Sequence, residues 1–225
     1  MTWVSDWRWI GGILLAAGVA NAAERMIAED LERAVQVRVY NYAGVSAAVI
    51  EATKRTASEL LGRAGARLEF VDCRARLTDP PKDQACKDPA TPLDLYVHIL
   101  DPGMARNAAV SRHCLGHALL TPELPSRASV FFHRALELAK SRRAPLAGIL
   151  GAMVAHEVGH LLLQQADHSA GGIMRAPWLD QDLKSIARGR LEFTADQSSR
   201  LRLMVAKRQQ ASKEKQWTLA KGSPQ

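Results

Sequence analysis

The chain has 225 residues, 47% of them apolar, which is enough for one domain with a real core and little more than a small appendage. Its net charge is +7. That excess is modest for the length and is spread along the chain. With Phe, Trp and Tyr at only 5% and no basic run interleaved with aromatics, it carries no nucleic-acid signature.

In chain order, the first feature is an N-terminal apolar run, Ile10 to Ala20, preceded by Arg8 and followed by the small-residue step Ala20-Asn21-Ala22. This pattern reads as an export signal over residues 1–22, with a mature start near Ala23 and a secreted or periplasmic destination. The run is too short to span a bilayer, so no stable membrane insertion is expected. After a lead-in to Ala34, the alternation of Val35, Val37 and Val39 with Gln36, Arg38 and Tyr40 predicts a strand to Tyr42. A helix is predicted from Ser46 to Ala64, stopped by Gly65, and a second strand from Leu68 to Val71.

Cys73 and Cys86 flank a loop rich in Pro and charge. In an exported chain they are expected to form a disulfide worth roughly 3 kcal/mol. Leu93, Leu95, Val97 and Ile99 alternate through a predicted central strand to Leu100. Asp101 to Gly116 reads as irregular, and His117 to Thr121 as a short edge strand. Cys114 is left over. It reads as a partly buried free thiol, although His113 and His117 beside it also offer a second metal cluster. Ser129 to Phe132 is either a further strand or the opening of a helix that runs to Lys140.

The chemistry is concentrated in the next helix, predicted from Pro145 to Gln165. It is apolar nearly all round, as a buried helix is, yet it contains His156-Glu157-Val158-Gly159-His160. Residues i and i+4 share a helix face, so His156 and His160 can hold one divalent cation, and zinc is the expected cofactor. Glu157, rotated to the side, is placed to act as general base toward a metal-activated water. Buried without partners, these groups would cost several kcal/mol, and a bound metal supplies the partner. A catalytic zinc needs a third protein ligand and an open position. From the residues the third ligand is open between His168 and Asp167; the spacing of Glu192 and Asp196 is also similar to that of gluzincin peptidases, which implies Glu192 as third ligand and Asp196 as an orienting carboxylate. Beyond the helix a loop leads to a helix from about Gln181 to Gln210, and residues 211–225 read as a disordered basic tail.

The run from His156 through Asp167-His168-Ser169 to Gly172-Ile173-Met174 resembles the metzincin clan of zinc endopeptidases, matrixin-like domains in particular. The resemblance implies His156, His160 and His168 as ligands, Glu157 as general base, and Met174 in the turn beneath the metal. It also implies that Pro177 and Trp178 form a wall of the pocket for the residue after the scissile bond. The chain departs from the family pattern, and where some members place a Tyr near the Met-turn its nearest aromatic is Trp178. His168 follows His156 by twelve residues where the family has ten, and Leu163 stands where the family has Gly.

The expectation is therefore α+β. A mixed, twisted sheet of four to five strands would lie over a long active-site helix, with a C-terminal helix, in a metzincin-like catalytic domain over residues 23–210. The expected activity is that of a monomeric zinc endopeptidase acting on protein or peptide substrates. The alternatives are a gluzincin-type peptidase using Glu192, or a non-catalytic zinc-stabilised binding protein of the cell envelope, which would need a closed four-ligand site.

Overall fold

The computed structural model describes residues 34–74, 84–108, 111, 113–120 and 126–221. The leader expected over residues 1–22 lies outside them. Five strands, β1 (Val35–Asn41), β2 (Leu68–Arg74), β3 (Asp94–Leu100), β4 (Gly116–Leu119) and β5 (Ser126–Phe131), form one sheet in the order β2-β1-β3-β5-β4. All neighbours are parallel except β4, which runs antiparallel to β5 at the sheet edge.

The two-residue alternation decides which face is covered. Val35, Val37, Val39, Leu95, Val97, Ile99, Ala128 and Val130 are buried together on the helix-bearing face. Helix α1 (Ala47–Arg63) packs there through Ile50, Thr53, Ala57, Leu60 and Leu61, a stripe at helical spacing, and Gly65 at φ 91° lets the chain turn back.

Against α1 lies the helix that carries the histidines. A short helix α2 (Pro102–Arg106) and then α3 (Phe132–Arg142) precede it, and α4 spans Leu146–Leu163. Residues Ile149 to Leu163 of α4 are all buried, between α1 and strands β3, β4 and β5. The approach to α1 is close: a Cβ on Gly151 would lie 2.5 Å from Thr56 Cβ and 2.9 Å from the Thr53 carbonyl. By length and composition α4 could cross a membrane, but 83% of that window is buried inside the protein, which accounts for its hydropathy.

The C-terminal end of α4 is closed by side chains. Gln164 takes a left-handed conformation at φ 52°, and its Nε2 donates to the Leu161 carbonyl at 2.6 Å. Arg208 donates to the same carbonyl at 3.0 Å. The chain then loops through the site and continues in α5 (Asp180–Ala187) and α6 (Ala195–Lys221). The described residues belong to one compact unit, Ala34–Gln225.

Several expectations need correcting. The stretch after Asp101 contains α2, because the Asp101 side chain caps Met104 N–H at 2.8 Å and Pro102 opens the first turn. Ser126–Phe131 is a strand and α3 follows it without a loop, so both alternatives for that region hold in succession. The edge strand starts at Gly116 and stops at Leu119. The single helix expected over 181–210 is two, divided at Gly189, whose φ is 64°. The second of these runs on to Lys221, so the tail expected from residue 211 is helical that far.

Candidate metal centre

His156 and His160, one turn apart on α4, present their rings to one another at 4.7 Å between centroids. His168 enters from the following loop, 5.2 Å from the His156 ring and 5.0 Å from His160. The first two are buried and His168 is exposed, so the group opens to solvent on one side. One ligand atom from each of the three lies within 4.8 Å of the others. Among the described residues this is the group arranged to hold a metal; His113, Cys114 and His117 do not form a second one.

The hydrogen bonds fix the ring tautomers. His156 Nδ1 lies 2.7 Å from the Ile173 carbonyl, and His160 Nδ1 lies 2.7 Å from the Gln165 carbonyl. A carbonyl only accepts, so both Nδ1 atoms carry the proton. Burial lowers the pKa of both rings, His156 to about 4, despite those carbonyl bonds, and the rings are neutral at pH 7. Their Nε2 atoms are then bare lone pairs. Yet His160 Nε2 sits 3.1 Å from His156 Nε2 and 3.3 Å from His168 Nε2. Lone pairs of His156 and His160 that close repel each other unless a cation stands between them. Tetrahedral zinc with ordinary Zn–N bonds separates neighbouring nitrogens by about 3.3 Å. The donor set, its tautomers and its spacing fit zinc.

Glu157 is 5% exposed, and its Oε2 is enclosed without a hydrogen-bond partner. Burial alone pushes the carboxyl up to about 8. It lies against the edge strand. A Cβ on Gly116 would fall 2.7 Å from Glu157 Oε1 and 2.5 Å from the Ser129 carbonyl. A cleft of about 650 Å³ opens here, with His156, Glu157, His168, Gly116, Pro177 and Trp178 in its walls.

Met174 is 2% exposed. Gly159, which costs helix stability, is explained by it: a Cβ there would lie 2.7 Å from Met174 Sδ and 2.9 Å from the Phe193 ring. The turn that carries Met174 is held by Ser169 N–H donating to the Met174 carbonyl at 3.0 Å and Ile173 N–H donating to the Glu192 carbonyl at 2.8 Å.

The remaining expected residues are placed as follows. Cys73 and Cys86 are disulfide-bonded, with Cα atoms 5.4 Å apart. Cys114 is a free, half-buried thiol in the cleft wall. Glu192 does not join the histidines; its carboxylate pairs with Arg63 at 3.2 Å. Asp196 is exposed in the first turn of α6, and Asp167 is exposed outside the histidine group. The chain leaves the helix through a left-handed residue at Gln164, one past Leu163, where the family has Gly. Sequence reasoning missed the two backbone carbonyls that orient the rings, because a carbonyl leaves no side-chain signal. It also missed Gly116, whose role depends on a strand distant in the chain.

No protein-family model matches the chain, and no curated protein matches it significantly in sequence. Among solved structures it is similar to the crystal structure of archaemetzincin from Methanopyrus kandleri. The two are 14% identical over 77% of this chain and 96% of that one, with a TM-score of 0.47. At that distance the chemistry has to be read from the site itself.

Proposed function

We propose that this chain is a zinc-dependent endopeptidase with His156, His160 and His168 as ligands and Glu157 as general base. The observation that carries the reading is the convergence of the imidazoles, two with their Nε2 lone pairs turned inward, on one wall of an open cleft. Zinc held there would polarise a peptide carbonyl and lower the pKa of a water toward 7. Glu157, partnerless in the same wall, is placed to take the proton from that water and pass it to the leaving amine. A cation beside it would bring its raised pKa back down.

Gly116 sets the Glu157 carboxylate directly against β4. An extended substrate pairing with that sheet edge would bring a peptide bond to the base without its terminus being gripped, which supports endo- rather than exo-cleavage. Pro177 and Trp178 would receive the residue after the scissile bond. A purely structural zinc site is closed by four protein ligands, whereas among the described residues this group has three and faces a cleft. The Cys73–Cys86 disulfide supports an extracytoplasmic location.

The test is metal content and turnover measured together. Glu157→Ala is expected to retain one zinc per chain and lose nearly all hydrolysis of an unfolded protein substrate; unchanged activity refutes the role of the base. His168→Ala is expected to lower zinc occupancy. If Glu192→Ala does so instead, the third ligand is Glu192.

A further inference from the structure

The Ile173 carbonyl accepts two hydrogen bonds. One comes from His156 Nδ1 at 2.7 Å, the other from the indole Nε1–H of Trp178 at 3.0 Å. An indole nitrogen is a donor only, and a carbonyl oxygen has two lone pairs, so both are used. Trp178 also stands edge-on to the His156 ring, with centroids 5.9 Å apart and an interplanar angle of 85°.

The two buried histidines differ in how their carbonyl partners are held. The Gln165 carbonyl that meets His160 is five residues along the chain, just past the helix cap, so local geometry places it. The Ile173 carbonyl that meets His156 is seventeen residues away. It arrives on a loop, and the direction of its peptide plane is a tertiary matter. Ile173 N–H, donating to the Glu192 carbonyl at 2.8 Å, secures the residue from one side. The indole N–H of Trp178 engages the oxygen itself.

We infer that Trp178 is a positioning residue of the metal centre: its indole N–H holds the Ile173 carbonyl so that His156 keeps its Nε2 lone pair aimed at the other two imidazoles. This deepens, and rests on, the zinc-centre reading above. Trp178 also lines the cleft, so a wall function and an orienting function have to be separated. Groups that orient a ligand histidine through its second nitrogen typically change metal affinity 10- to 100-fold when removed. A residue that only forms a wall changes substrate affinity and leaves the metal alone.

The experiment is competition for zinc with a chromophoric chelator, on the full chain, for the parent and two variants. Trp178→Phe keeps an aromatic ring without the donor. Trp178→benzothienylalanine keeps the indole shape and replaces N–H by sulfur, which guards against a packing defect. Alongside, long-range ¹H–¹⁵N spectra of the metal-free protein read the His156 tautomer. The expected result is one zinc per parent chain and about tenfold weaker binding in both variants. His156 is expected to pass from a single Nδ1–H tautomer to a mixture, with the metal-free melting temperature of the benzothienylalanine variant unchanged. Parent-like zinc affinity and a parent-like tautomer in that variant would overturn the inference and leave the zinc centre standing. A parent chain that binds no zinc would overturn both.

Discussion

Two buried polar clusters lie on opposite faces of the sheet and are finished to different standards. On the face away from α4, Arg38 and Asp94 are paired at 2.9 Å with side chains only 3% exposed. Both groups have further partners. Arg38 Nη1 donates to the Asp88 carbonyl at 2.8 Å and to Tyr96 at 3.2 Å, while Thr91 donates to Asp94 Oδ2 from its amide at 2.7 Å and its hydroxyl at 2.6 Å. On the α4 side, imidazole lone pairs face each other and a buried carboxyl has no partner. Arg38 and Asp94 on one side, and His156, His160 and Glu157 on the other, are all buried. The first is closed and holds β1, β3 and the 88–94 loop together; the second is left incomplete in the one place where a cleft reaches it. Buried polar groups are normally satisfied, so the incomplete cluster is the one shaped for something else to bind.

The sharpest way to break the contrast is to cut each cluster once. Asp94→Ala strands the Arg38 charge and should destabilise the fold by about 3–5 kcal/mol, visible in denaturant melts, with turnover per folded molecule unchanged. Glu157→Gln should do the reverse. Turnover falls by about 10²- to 10⁴-fold, and the metal-free protein melts higher at neutral pH, because the buried carboxyl, pushed up to about 8, must take up a proton on folding that the unfolded chain has released, and an amide removes that cost. Equal destabilisation by both substitutions would erase the distinction.

A smaller effect lies on the Arg38 face of the sheet. Burial, then the charges of Arg127 and His117, lower the His98 pKa to about 4, against 6.5 for an exposed ring. Between those values the unfolded chain binds a proton that the folded one refuses, so stability is full above pH 6.5 and falls as the pH drops toward 4. The loss amounts to at most about 3 kcal/mol. His98→Phe should flatten that part of a stability–pH curve; an unchanged slope would place the acid sensitivity elsewhere. The smallest effect belongs to the helix exit. Gln164→Gly relieves a left-handed side chain, while Arg208 still serves the Leu161 carbonyl, so a gain of about 0.5 kcal/mol is expected in thermal melts.

What the sequence made legible was what repeats locally. The alternation of Val35, Val37 and Val39 marked a strand with one covered face, and the i, i+4 pair His156 and His160 needed only helical geometry to share a site. Cys73 and Cys86 could be paired because only one other cysteine competes. The missed features depend on partners distant in the chain. Gly189 inside an apolar-periodic stretch is an ordinary tolerated glycine until the segment after it is needed to run beneath the Met174 turn, where the Glu192 carbonyl meets Ile173. The helix exit falls on Gln164, one residue past the position of the family's Gly, and its own side chain and Arg208 satisfy the carbonyl left open at the helix end. Nothing in the letters of Ile173 and Trp178 announces that they share a hydrogen bond with His156.

A cation completes the unfinished cluster in this reading of the site. Titrating zinc into chelator-stripped protein while recording bound metal and melting temperature tests it directly. The expected result is one zinc per chain, a rise in stability that reaches about 4 kcal/mol at a thousandfold excess over Kd, and loss of both in His156→Ala. No bound zinc at saturation, or a melting temperature indifferent to zinc, would mean that the three histidines do not form a metal centre.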